Sequence, residues 1–243
     1  MRKLDIRIVI LGHLPYSVDL HKVLKYKSSI FNIIGPIGNI SIISNSDIEY
    51  WGYSDKNIQR QVPQRESEDI LIAITSVPLE GNYYVRGFSN NTVCITYHEI
   101  AEILTFSNIP LHNFILRVLN SAALIYKRCG NSIPSINQLT KFTHDETRGC
   151  IFDMNGIKTD IVYSLDKPQL CPSCLFDLEN NLPHRLEKNL LSSVQEDLKK
   201  ISKPFYYDIL DWIKCYPIAA FLASSSIAII LGIVGSLIAS ILY

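Results

Sequence analysis

The chain has 243 residues, room for one sizeable core, and its 23 Lys and Arg are matched by 23 Asp and Glu. A net charge of zero, with no stretch in which aromatic and basic side chains interleave, argues against nucleic acid as a partner. The six cysteines are few for a disulfide-built scaffold of this length.

The N-terminal MRKLDIRIVILGHLP sets basic residues before an apolar run in the manner of a secretion signal, but Asp5 and Arg7 interrupt it. The bulk of the chain is therefore expected in the cytosol. There a Cys-x-x-Cys pair signifies metal or redox chemistry rather than a disulfide. LDIRIVILG (4–12) reads as a strand, and SVDLHKVLKY (17–26) carries the apolar spacing of a helix at Val18, Leu20, Val23 and Leu24. ISIIS (40–44) and IEYWGY (48–53) are predicted as short strands, and polar NIQRQVPQRESED (57–69) as a loop. ILIAITSVP (70–78), YYVRGF (83–88) and TVCIT (92–96) complete a mixed sheet.

The period then changes. YHEIAEILTF (97–106) and PLHNFILRVLNSAALIYKRCG (110–130) space their apolar residues three and four apart, with Pro110 at a start and Gly130 at an end. Within the first of these, His98 and Glu102 are four apart and would share a helix face. Together they could bind a metal, with Glu99 beside them as general base, one residue removed from the His-Glu-x-x-His helix of zinc peptidases.

HDETRGC (144–150) and Cys171-Pro-Ser-Cys174 follow. The Cys-x-x-Cys knuckle brings two thiolates to one ion, and Cys150 and His144 lie close enough upstream to complete a Cys₃His set. Four protein ligands leave no place for water, so the expected zinc is structural. A thioredoxin-like redox pair at a helix start and cysteines that merely pack in a core are the competing readings. Arg148 could pair with a carboxylate or orient a ligand from behind, a solvated loop being the simpler account, and Asp153, Lys158 and Asp160 read as surface charges. After Pro183, Leu186, Leu190, Val194, Leu198 and Ile201 form one apolar stripe that Pro204 ends.

From Tyr216 to Tyr243 no side chain is charged, and a helix of that length exceeds the hydrocarbon core of a bilayer. The expected organisation is a cytosolic domain over 1–183, an amphipathic juxtamembrane region over 184–215 and a transmembrane helix over 216–243, a tail anchor. Lys199, Lys200, Lys203 and Lys214 precede the span, which places the N-terminal domain in the cytoplasm. Tyr206, Tyr207, Trp212 and Tyr216 suit an aromatic belt on that side and Tyr243 the far interface. Ser224, Ala228, Gly232, Ser236 and Ser240 lay small residues along one face, a basis for self-association in the membrane.

The order of a sheet ending in ILIAITSVPLEGNYYVRGFSNNTVCITYHEIAEIL, a helix, Cys150-x-x-x-Met154 in CIFDM and a closing Cys-x-x-Cys resembles the archaemetzincins, minimal zinc proteases of the metzincin group, over roughly residues 70–176. In that family the zinc helix continues to a Gly and a third His, and a cysteine-rich second site holds a structural zinc. Here Glu102 stands at the second His, Thr105 at the Gly and Asn108 at the third His, with His112 nearby but out of register. The resemblance implies an α/β, metzincin-like fold and a structural zinc on Cys150, Cys171 and Cys174, with His144 as a local addition. These readings predict a membrane-tethered, zinc-stapled, catalytically degenerate domain acting as a sensor, scaffold or membrane effector with a protein partner. Bacterial antiviral defence is one use of such an arrangement. The competing expectation is a tethered zinc peptidase using His98, Glu99 and Glu102.

Overall fold

A computed structural model describes residues 2–49, 51–134, 142–180 and 184–242, so Tyr50, Pro183 and Tyr243 lie outside the described residues. Its centre is β1 (Leu4–Leu11), in a six-stranded mixed sheet of order β2 (Phe31–Ile33), β1, β4 (Ile70–Thr75), β6 (Thr92–Thr96), β5 (Val85–Phe88). The first half of β1 pairs with β2 and its last residues with β3 (Gly38–Ile40) on the same edge. All these pairings are parallel except that of β5 with β6.

Side chains alternate across the pleat, and here both sets are apolar. Ile6, Ile8, Ile70, Ile72, Ile74, Val93 and Ile95 enter the larger core, whereas Val9, Leu11, Leu71, Ala73 and Cys94 enter a smaller one on the opposite face. β4 is buried along its whole length, as a parallel strand covered on both faces must be. The larger core receives α1 (Leu20–Lys25), α3 (Ile100–Phe106), α4 (His112–Arg128) and α7 (Lys188–Lys199). The smaller one receives Ile58 of α2 (Asp55–Gln61).

α4 is buried on nearly every side, and its buried polar side chains are held by hydrogen bonds, although Arg117 Nε and Asn120 Oδ1 have no partner. Asn120 Nδ2 donates to the Leu116 carbonyl at 2.8 Å and to Tyr26 Oη at 3.2 Å, and Arg117 Nη2 donates to the Asp153 carbonyl at 3.1 Å. Contacts divide the chain into two compact units, 1–202 and 203–243. α7 belongs to the first, with Leu191, Val194 and Leu198 in its core, so the apolar stripe expected near the membrane packs inward instead.

Three local expectations differ. The segment 57–69 is not all loop: Ser54 accepts the Asn57 N–H at 3.1 Å and starts α2. Within 48–53, Ile48 and Gly52 pair in an isolated antiparallel bridge with Glu49 at φ 41, and Tyr53 bridges Leu79 in parallel, so the described residues there do not form the expected strand. The strand near 40–44 is displaced to 38–40.

The second unit holds α8 (Phe205–Cys215) and α9 (Pro217–Leu242). Tyr216 separates them at φ −131, ψ 61, outside helical geometry. Over Pro217–Ser240, α9 is long and apolar enough to cross a membrane, and none of it is buried.

Candidate metal centre

The stretch from His144 to Cys174 is folded back on itself by main-chain bonds rather than by a sheet. The His144 N–H donates to the Phe152 carbonyl at 3.2 Å, and the His144 carbonyl accepts the Met154 N–H at 3.0 Å. The Ile151 N–H donates to the Gln169 carbonyl at 2.9 Å, tying the Cys150 strand to the segment that enters α6 (Pro172–Asn180). Gly149 turns at φ +71, where a side chain would be strained and a Cβ would meet the Tyr163 carbonyl oxygen at 3.2 Å. Pro172 opens α6, where a missing N–H costs nothing, so Cys171 and Cys174 sit on its first turn. The short helix α5 (Tyr163–Asp166) lies between the two halves of the site in sequence.

The result is a cluster of His144, Cys150, Cys171 and Cys174 whose ligating atoms all lie within 4.8 Å of one another, the three sulfurs buried. Four donors about 2.0–2.3 Å from one ion stand about 3.3–3.8 Å apart, and the Cys171 Sγ to His144 Nε2 distance is 3.6 Å. The donor set, three thiolates and an imidazole, is one that zinc takes. Cys150 Sγ also accepts the backbone N–H groups of Phe152 at 3.5 Å and Cys171 at 3.4 Å.

These contacts favour the thiolate form of Cys150. The hydrogen bond from Cys174 draws Cys150 down to about 5, and the same bond, with burial, pushes Cys174 up. Burial opposes ionisation of Cys171, but bonds from Ser173 and the Cys174 backbone outweigh it and lower the thiol. His144 is desolvated, which lowers it, yet the Cys150 sulfur and the Glu146 carbonyl raise it overall.

Asp153, expected at the surface, is 2% exposed. One carboxylate oxygen, Oδ2, accepts the backbone N–H of Arg148 at 3.0 Å and of Cys150 at 2.9 Å. The other, Oδ1, lies 3.3 Å from His144 Nδ1 and has no hydrogen-bond partner. His144 Nδ1 is also 2.9 Å from the Glu146 carbonyl, so its Nδ1 side is committed and Nε2 is left for the metal. Arg148 does back the site: it donates to Cys171 Sγ at 3.8 Å and Ser173 Oγ at 2.7 Å, and pairs with Glu146.

His98, Glu99 and Glu102 are not assembled as the peptidase expectation requires. His98 and Glu99 stand in the turn before α3, with Glu99 at φ 63, so the helix begins only at Ile100, His98 lies outside it, and His98 and Glu102 share no helix face. His98 lies against the Trp51 ring at 5.8 Å. Glu99 accepts from Lys158 Nζ at 2.8 Å and Asn82 Nδ2 at 3.2 Å, and the Lys158 bond holds it below the usual carboxylate range, a poor setting for a general base. Lys158, expected as a surface charge, is thereby engaged. Among the described residues, the His144 group is the one set of three or more His, Cys, Asp or Glu side chains placed to hold an ion.

Compared with solved structures, the chain is similar to an archaemetzincin from Archaeoglobus fulgidus complexed with malonate, at 12% identity, a TM-score of 0.39, and coverage of 70% of this chain and 98% of that one. A likeness of this degree assigns no role to any residue. No protein-family profile and no curated protein matches the chain.

Proposed function

We propose that the chain is a membrane-tethered scaffold or effector whose α/β domain is held in shape by one structural zinc on His144, Cys150, Cys171 and Cys174. What supports this reading is the gathering of four protein donors: around one ion they would fill a tetrahedral shell and leave no position for water or substrate. Zinc bound there would contribute folding free energy directly. The apolar helix α9 would supply the tether, and Lys199, Lys200, Lys203 and Lys214 ahead of it support a cytoplasmic side for the first unit by the positive-inside rule.

The effector form of the proposal adds helix association through Ser224, Ala228, Gly232, Ser236 and Ser240 and a protein partner on the cytoplasmic side. Gly232→Leu and Ser236→Leu are then expected to abolish cross-linking between copies while leaving insertion intact.

The test of the zinc is its content per chain in the full-length protein, in wild type and in the Cys171→Ser and His98→Ala variants. One zinc per chain, lost with Cys171→Ser and kept with His98→Ala, is expected. A second zinc lost with His98→Ala would restore the tethered peptidase on His98, Glu99 and Glu102. No zinc at all would return the cysteines to redox or packing roles.

A further inference from the structure

The helix ahead of the span has two unlike sides. At about 100° per residue, Phe205, Ile209, Trp212 and Ile213 fall within one arc of about 100°, Tyr216 follows at the C-terminal cap, and Asp208, Asp211 and Lys214 fall on the other side. The apolar arc is open: Phe205 is 76% exposed and Trp212 44%. α8 is also not a continuation of α9. Tyr216 leaves helical geometry after its N–H closes on the Trp212 carbonyl at 2.9 Å, and Pro217 brings no N–H to carry the ladder on.

We propose that α8 lies in the plane of the bilayer surface, its Phe205–Ile209–Trp212–Ile213 face sunk into the boundary between headgroups and acyl chains. The inference rests on α9 being a span. Given that, a single residue links the two helices, a reach of about 3.5 Å, so the C-terminal end of α8 cannot leave the membrane surface. An amphipathic helix held there buries its apolar face in lipid, and Trp and Tyr are the side chains suited to that depth. The polar side sets the lipid chemistry. Lys203 and Lys214 are balanced by Asp208 and Asp211, and Asp211 pairs with both lysines. The attraction is therefore apolar burial in a zwitterionic surface, not the pull of anionic headgroups on a basic patch.

The chain has two tryptophans, so Trp51→Phe leaves Trp212 as sole reporter. The full-length variant is placed in phosphatidylcholine vesicles carrying bromine either near the glycerol end of the acyl chain or near its tip. Trp212 emission is expected to be quenched more by the shallow bromine than by the deep one, and to be unchanged by added anionic lipid or salt. Adding Ile209→Lys and Ile213→Lys should relieve the quenching in a chain that still resists alkaline extraction. Retention of the chain without quenching would overturn this inference alone, and quenching that emerges only on dilution with excess lipid would instead assign the face to a second copy. Release at alkaline pH would overturn the span reading and the inference with it.

Discussion

Asp153 shows how one buried carboxylate serves two tasks. Oδ2 fixes the turn that presents Cys150, and Oδ1 faces the imidazole that completes the cluster. Asp153→Asn keeps the size but replaces a charged acceptor beside His144. It is expected to weaken zinc binding by about 10- to 100-fold, read by competition with a chromogenic chelator. Its charge was visible in the sequence, but its burial was not. The readable hint was position: Cys150-x-x-Asp153 sits inside the ligand segment, where a carboxylate has an imidazole to orient. His112 offers a second test. Burial lowers it from its ordinary value of 6.5, with Lys22 adding to the effect and Asp19 opposing it. The unfolded chain therefore takes up its proton first as pH falls, so the contribution is intact above about 6.5 and is lost as pH drops through the folded-state value. Urea midpoints from about pH 7 to about pH 5 should fall less steeply for His112→Gln than for wild type, because acid release of zinc is common to both.

At the scale of elements, α7 is tied to the sheet side of the molecule by Leu191, Val194 and Leu198 and by Asp197, whose carbonyl accepts from Tyr26 Oη at 3.0 Å. Leu198→Ala is expected to cost about 2–5 kcal/mol, measured as a fall in the denaturation midpoint of the first unit with zinc still bound. The elements legible in the sequence were those whose burial wrote a period into it. TVCIT (92–96) is a strand over those same residues, and 110–130 contains α4. α2 left no period because only Ile58 of its residues is buried, although the Ser54 cap was there to be read. The apolar residues of 48–53 looked like a strand, but the described ones among them make only isolated bridges, Ile48 to Gly52 and Tyr53 to Leu79. His98 and Glu102 were four apart on paper. Glu99 at φ 63 delays the helix, and spacing predicts a shared face only when the helix exists. The Cys₃His set was legible because knuckle spacing survives any choice of surrounding secondary structure.

For the whole molecule, the division at Ser202 separates the unit that carries the candidate zinc site from the unit that carries the long apolar helix. Chelating the metal from the full-length protein in vesicles should lower the melting temperature of the first unit, followed by circular dichroism, while the chain stays with the membrane through alkaline washing. Co-release of chain and metal would show that the two units are not independent. The sheet adds a consequence in time. β1 takes β2, β3 and β4 as partners, and its pairing with β4 must close the chain from Ile6 to Ile70 before any reward arrives. That closure is expected to set the slow step, with the zinc donors, all farther along the chain, joining the sheet afterwards. Zinc should therefore leave the refolding rate unchanged and slow unfolding, acting as a latch on the finished domain rather than as a seed for it.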